Sequence, residues 1–110
     1  MITVCFSDCS QNKVILKVKG HSSEDKGNDI VCAAVSALTD TFLRGLETNL
    51  KAQLKGSFKP GDCDVMAEVS GNRAKEFKII CEIFKNGFHK ISESYPEQVK
   101  LICQEIYHGS

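Results

Sequence analysis

Ile2, Val4 and Phe6 alternate with Thr3, Cys5 and Ser7, a two-residue period that predicts a half-buried strand. Asp8 to Asn12 supplies turn residues. Val14, Leu16 and Val18 then alternate with Lys13, Lys17 and Lys19, which predicts a second strand paired with the first as a hairpin. Gly20 ends it, and its missing side chain allows the following loop to approach closely. From about Asp29 to Glu47 the period becomes helical. Val31, Val35, Leu38, Phe42 and Leu46 form one stripe, and Ile30, Ala33, Ala34 and Ala37 broaden it. So wide an apolar surface exceeds what one sheet face covers, so either a second helix or a second subunit must bury the remainder.

Ala52, Leu54 and Phe58 alternate with Lys51, Gln53 and Lys55 in a third strand. Pro60-Gly61 has the residues of a type II turn, and Cys63, Val65, Ala67 and Val69 complete a second hairpin. Phe77, Ile80, Cys81, Phe84, Phe88 and Ile91 recur at helical spacing, interrupted by Gly87, and Pro96 stops that helix. The tail from Val99 to Tyr107 fits both periods and is read as a final edge strand. The predicted fold is therefore an α/β (α+β) sandwich in the order hairpin, helix, hairpin, helix, short C-terminal strand. Its mixed or antiparallel sheet is packed by two helices.

The chain of 110 residues is read as a single domain, 1–110, large enough for one core. Its 42% hydrophobic and 25% charged composition is that of a soluble globular protein. No apolar run reaches the ~18 residues of a membrane span, and the start of the chain reads as a strand rather than a signal peptide. The expectation is a cytoplasmic protein with no membrane partner. Fourteen basic residues balance fourteen acidic ones, so no overall field steers the chain to nucleic acid, and no direct nucleic-acid partner is expected. Lys13, Lys17 and Lys19 on one strand, and Lys51 and Lys55 on another, read as solvated faces with lysines blunting edges.

Six cysteines are scattered over strand, turn and helix positions, which fits reduced thiols used as small apolar residues better than a disulfide framework. No CxxC pair occurs and the histidines are dispersed, so neither a metal nor another cofactor is expected. His89 falls on a polar helix face and His108 in the tail.

One stretch carries chemistry. Between Gly20 and Leu38 the chain reads GHSSEDKGNDIVCAAVSAL, leaving a strand through a polar loop and entering the first helix. Asn28 or Asp29 is the natural N-cap, because either side chain can accept from the free N–H groups of the first turn. With Asp29 as cap, Cys32 is the third helical residue, beside unsatisfied N–H groups at the positive end of the helix dipole, a setting that favours the reactive thiolate. Ala33, Ala34, Val35 and Ser36 follow, so no second cysteine is placed for dithiol chemistry. A base must come from elsewhere, and His21, on the loop that returns to the helix start, is the near candidate. A Cys–His pair supports nucleophilic acyl transfer. Asp29 is a cap first and a catalytic aid second. Ser36, four residues after Cys32, shares its helix face and either hydrogen-bonds the site or bonds back to its own helix. The loop from Ser22 to Asn28, with Gly27 as a possible hinge, is a candidate lid over a peptide.

Gly20-His21, the loop, and Asp29-Ile30-Val31-Cys32-Ala33-Ala34-Val35-Ser36-Ala37-Leu38 together resemble the signature of the bacterial ribosomal-processing cysteine protease family, Prp. The order of elements and the Tyr95-Pro96-Glu97 segment agree. The resemblance implies a small dimeric α/β protease that removes an N-terminal extension from the large-subunit ribosomal protein numbered twenty-seven. It implies Cys32 as nucleophile, His21 as general base, Asp29 and Ser36 as supporting residues, and that ribosomal precursor as peptide substrate. Ser22 follows the histidine where the family usually has Ala, and the loop to the cysteine is slightly shorter. Two other classes fit the residues: a thiol redox-sensing protein in which Cys32 forms a mixed disulfide, and a non-catalytic ribosome-associated binding module using the lysine-bearing strands.

Overall fold

The computed structural model describes residues 1–20, 28–59 and 61–106, with the side chains of residues 28 and 29 outside that description. Its elements are strands β1 (Ile2–Ser10) and β2 (Lys13–Lys19), helix α1 (Asn28–Leu50), strands β3 (Gln53–Lys59) and β4 (Asp62–Glu68), helix α2 (Ala74–Ser94) and strand β5 (Val99–Glu105). A single 3-10 turn, Gly71–Arg73, leads into α2. The strands form one sheet in the order β3-β4-β2-β1-β5, in which only the β1–β5 pairing is parallel. This is the mixed sheet with two helices that the alternating pattern predicts.

Alternation decides which face is which. Ile2, Val4 and Phe6 of β1, Val14, Leu16 and Val18 of β2, and Cys63, Val65 and Ala67 of β4 are all buried. Both helices cover that face. The Phe6 ring packs on Phe42 of α1 at 5.2 Å and on Phe88 of α2 at 6.5 Å, and Phe42 meets Phe84 at 5.2 Å. These tilted pairs add about 0.5–1.5 kcal/mol each to the burial of the rings, so one aromatic chain ties α1, α2 and the sheet centre together. The helices approach closely where Gly87 faces Leu38, since a Cβ on Gly87 would lie 3.1 Å from Leu38 Cδ1.

Several boundaries differ from the sequence pattern, each for a physical reason. Asp8 to Ser10 belong to β1 rather than to the turn. The parallel partner β5 extends pairing to Asp8–Glu105, the Ile106 N–H donates to Asp8 O, and the extra residue is absorbed as a register shift between Asp8 and Ser10. Helix α1 runs past Glu47 because Leu50 continues its buried stripe. Lys51 then turns the chain with φ 56, outside any strand, and the Ala52 N–H reaches back to Leu46 O at 3.0 Å.

The lysines of β2 do not blunt an edge, because β2 is interior. Lys13, Lys17 and Lys19 stand opposite Glu68, Asp64 and Asp62 of β4, so cross-strand charge pairing explains them. The tail is an edge strand as expected, beside β1. On α1, part of the broad apolar surface meets α2, while Ile30, Ala33 and Ala37 stay exposed.

Candidate active site

Helix α1 begins at Asn28, so Asn28 and Asp29 lie inside the helix rather than before it, and Cys32 is its fifth residue rather than its third. Helix boundaries shift by a residue or two with the definition used; the consequence is that Cys32 stands at the start of the second turn. Side chains on a helix lean toward its N-terminus, which sets the Cys32 side chain over the first turn. Cys32 is half-buried and packs against the core. Ser36 follows one turn later and is exposed. Thr39, buried one turn further on, donates its hydroxyl to Val35 O at 2.7 Å, a back-bond that leaves its methyl for packing.

The place from which the chain departs toward His21 is held firmly. The Gly20 N–H donates to Gly61 O in the turn between β3 and β4, at 3.2 Å. Lys19 and Asp62 form an ion pair across the ends of β2 and β4. Hydrogen bonding to Lys19 holds the Asp62 carboxyl below its ordinary range, and the same bond raises the Lys19 ammonium. Both side chains are exposed, so the pair fixes geometry more than it stabilises the fold. Gly20 itself has φ 108, and a Cβ there would fall 2.2 Å from Met1 O. Its lack of a side chain serves the neighbouring strand backbone, not only the loop that follows.

These elements meet in a small cleft of about 20 Å³, lined by Val18, Val35, Ser36, Thr39, Phe58, Lys59, Gly61, Asp62 and Cys63. The end of β2, the turn after β3 and the third turn of α1 therefore share one surface, with Cys32 one turn before Ser36. His21, Ser22 and Gly27 lie outside the described residues, as does the proposed lid, and so does the Asp29 side chain. Pro60 is likewise outside, while Gly61 has φ 77, as the second central position of a type II turn requires. Phe58, Lys59 and Asp62 are additions to the site that periodicity along the chain did not reveal. Their placement depends on β4 pairing with β2, a long-range register.

No disulfide joins any two cysteines among the described residues. Cys63 and Cys81 are buried, and burial pushes their thiols up to about 11 and about 12. Burial also raises the Cys9 and Cys103 thiols. Cys9 lies in β1 rather than in a turn. His89 is exposed and faces Glu93 at 3.1 Å on α2. Among the described residues no group of three or more His, Cys, Asp or Glu is placed to hold a metal ion, and no helix is long and apolar enough to cross a membrane.

Comparison with known proteins bears on what such a cleft does. The family model for cysteine protease Prp matches residues 1–100, which includes Cys32 and nearly every element of the fold. The crystal structure of SMU.848 from Streptococcus mutans is 25% identical, with a TM-score of 0.75 over 96% of this chain and 99% of that one. A ribosomal processing protease Prp from S. aureus, in complex with a covalently linked product peptide, is 21% identical with a TM-score of 0.70, over 94% of this chain and 99% of that one. The same protease with a substrate peptide is 20% identical, again with a TM-score of 0.70 and the same coverage. A search of curated proteins found no match. The S. aureus structures agree in fold, and the family match carries the activity: this chain belongs to the Prp family and is a cysteine protease.

Proposed function

We propose that this protein removes the N-terminal extension of the large-subunit ribosomal protein numbered twenty-seven, with Cys32 as nucleophile and His21 as general base. The observation that carries the reading is the shared cleft, in which the end of β2 meets α1 at Val35, Ser36 and Thr39, with Cys32 one helical turn before Ser36. His21 follows directly after Gly20, whose N–H is bonded to cleft residue Gly61. The S. aureus relatives, described with a substrate peptide and with a covalently linked product peptide, support it by analogy.

In this mechanism the His21 imidazole takes the Cys32 proton and the sulfur attacks the scissile carbonyl carbon, forming a C–S bond. The carbonyl oxygen becomes an oxyanion that accepts from backbone N–H groups at the start of α1. Collapse breaks the C–N bond, and the amine leaves with the proton held by His21. Water, deprotonated by the same imidazole, then attacks the thioester, releasing a carboxylate and restoring the thiol. Asp29 orients the first turn, Ser36 hydrogen-bonds at the cleft, and Ser22 and Gly27 belong to a loop over the peptide.

The enzyme acts in the cytoplasm as a homodimer, residues 1–110 forming one protease domain. The exposed Ile30, Ile79 and Ile83 support a partner of the same chain. The balanced charge supports a peptide rather than a nucleic acid as the molecule bound. The test is incubation with the extended ribosomal precursor. Wild-type protein is expected to shorten it to one defined product, while Cys32→Ser and His21→Ala leave it intact. A precursor untouched by wild-type protein, or cut equally by Cys32→Ser, overturns the proposal.

A further inference from the structure

The outer face of the sheet, turned away from both helices, carries charge that the cleavage reaction does not use. Residues paired across neighbouring strands share a face, and one row of this face runs Lys59, Asp62, Lys19, Thr3 and Lys100 across all five strands. With Lys13, Lys17 and Lys55, six lysines of the described strands lie here beside three carboxylates, Asp62, Asp64 and Glu68. Each carboxylate stands opposite a lysine of β2, whereas Lys55 faces Met66 and Lys100 faces Thr3. The face therefore holds an excess of three positive charges. Fourteen basic and fourteen acidic residues balance over the whole chain, which removes a long-range field but not this local one. Ile15, Met66 and Ile102 on the same face are half-buried, unlike the exposed Ile30, Ile79 and Ile83 of the helices. Ile15 and Met66 floor a shallow depression of about 450 Å³ beside Lys55, Ser57 and Asp64. The aromatic residues of the described strands, Phe6 and Phe58, belong to the other face, with Phe6 in the core and Phe58 opposite buried Cys63.

We infer that this face docks the phosphate backbone of double-helical RNA. A stable protein partner requires an apolar centre, which half-buried residues ringed by lysines do not offer. A single strand requires aromatic rings for its bases to stack on, and this face has none among the described strands. A broad polar plane with excess cations is what a phosphate backbone requires. Its width selects RNA over DNA. From Lys59 to Lys100 the row crosses the sheet at ~4.8 Å per strand, about 19 Å in all, too broad to enter the ~12 Å major groove of B-form DNA. A-form RNA presents a wide, shallow minor groove lined with 2′-hydroxyls. A flat face can lie across that groove with lysines on the phosphates of both margins and the Ser57 and Thr3 hydroxyls toward the ribose. The inference goes beyond the peptidase reading and does not depend on it.

The test reads binding alone. Wild-type protein is titrated by fluorescence anisotropy into a labelled RNA duplex of about 16 base pairs. Three lysine–phosphate contacts predict that affinity falls about sixfold for each doubling of salt. Lys55→Gln/Lys100→Gln should weaken binding at least about tenfold at low salt and leave a salt slope near one contact. The Lys55→Arg/Lys100→Arg protein should keep both affinity and slope to within about twofold. Asp64→Asn, which frees Lys17, should tighten binding by about threefold, a gain that misfolding cannot imitate. Lys75→Gln/Lys90→Gln on α2 is the control and should match wild type. Absence of saturable binding to the duplex, or equal weakening by the control pair, overturns the inference. So does tighter binding to a DNA duplex or to single-stranded RNA of the same sequence. Displacement of the RNA by an equal charge concentration of polyglutamate would assign the face to an acidic protein instead and overturn RNA as its occupant.

Discussion

Replacing Gly20 with alanine tests how the strand end beside the cleft is built. The residue has φ 108, where an L side chain is strained, and the added Cβ would fall 2.2 Å from Met1 O. That carbonyl cannot swing away easily. It shares a peptide plane with the Ile2 N–H, which donates to Gln98 O at 2.8 Å. Gly20 is held from the other side by its bond to Gly61 O. Strained backbone of this kind costs about 1–3 kcal/mol, and relieving the clash by moving the strand end adds a loss of similar size. Stiffening of the unfolded chain by alanine returns only about 0.4–1 kcal/mol. The expected net loss is about 2–4 kcal/mol, a large share of the ~5–15 kcal/mol that holds such a domain folded.

Urea unfolding followed by circular dichroism measures it, with a midpoint lowered by roughly 1–2 M for a slope near 2 kcal/mol/M. Gly71→Ala is the internal control, since a Cβ there meets nothing within 4 Å, and it should change stability by less than about 0.5 kcal/mol. If Gly20→Ala falls within about 0.5 kcal/mol of that control, the described packing of the β2 end is refuted.

Two further predictions concern titration and a half-buried ion pair. The Cys63 and Cys81 thiols are held at about 11 and about 12 against an ordinary 9.0. Stability is therefore complete below pH 9 and falls as pH rises toward those values, because the unfolded thiols ionise first, at up to about 1.4 kcal/mol per pH unit for each. Urea midpoints between pH 8 and 10.5 should fall less steeply in Cys81→Ala than in the wild type; identical slopes would refute the assignment. Lys85 pairs with Asp8 at 2.5 Å, with side chains 24% and 22% exposed, and lies over the Phe6 ring. Burial lowers the Lys85 ammonium, but the hydrogen bond to Asp8, the Asp8 charge and the nearby Cys103 and Cys81 together outweigh that, leaving it raised. Asp8→Asn should cost about 1–3 kcal/mol, and a double-mutant cycle with Lys85→Met should show coupling; additive losses would contradict it.

Local periodicity made most of this fold legible. Alternation in β1, β2 and β4 marked the helix-facing residues correctly because each of those strands turns one face to the helices, although on β1 the other face is half-buried and Ser7 is buried. The same reasoning failed for Phe58. It lies on the edge strand β3, most of which is exposed, so alternation there says little about burial. The extent of β1 was missed because its last residues are held by β5, nearly a hundred positions away in the chain. The lysines of β2 read as an edge because their acidic partners on β4 are contributed by a strand the sequence does not place beside them. At the site, the GHSSEDKGNDIVC stretch pointed to Cys32 without help from the fold. Phe58, Lys59 and Asp62 could not be joined to it until the β2–β4 register was known.

The most direct test of Cys32 as nucleophile is the intact mass of the protein trapped by rapid acid quench during turnover of a substrate peptide, followed by mapping of the adduct. The account predicts a transient gain equal to the acyl portion of the peptide, carried on Cys32 and absent in Cys32→Ser. Acylation mapped to the exposed Cys103, or peptide cleavage that persists in Cys32→Ser, would contradict it.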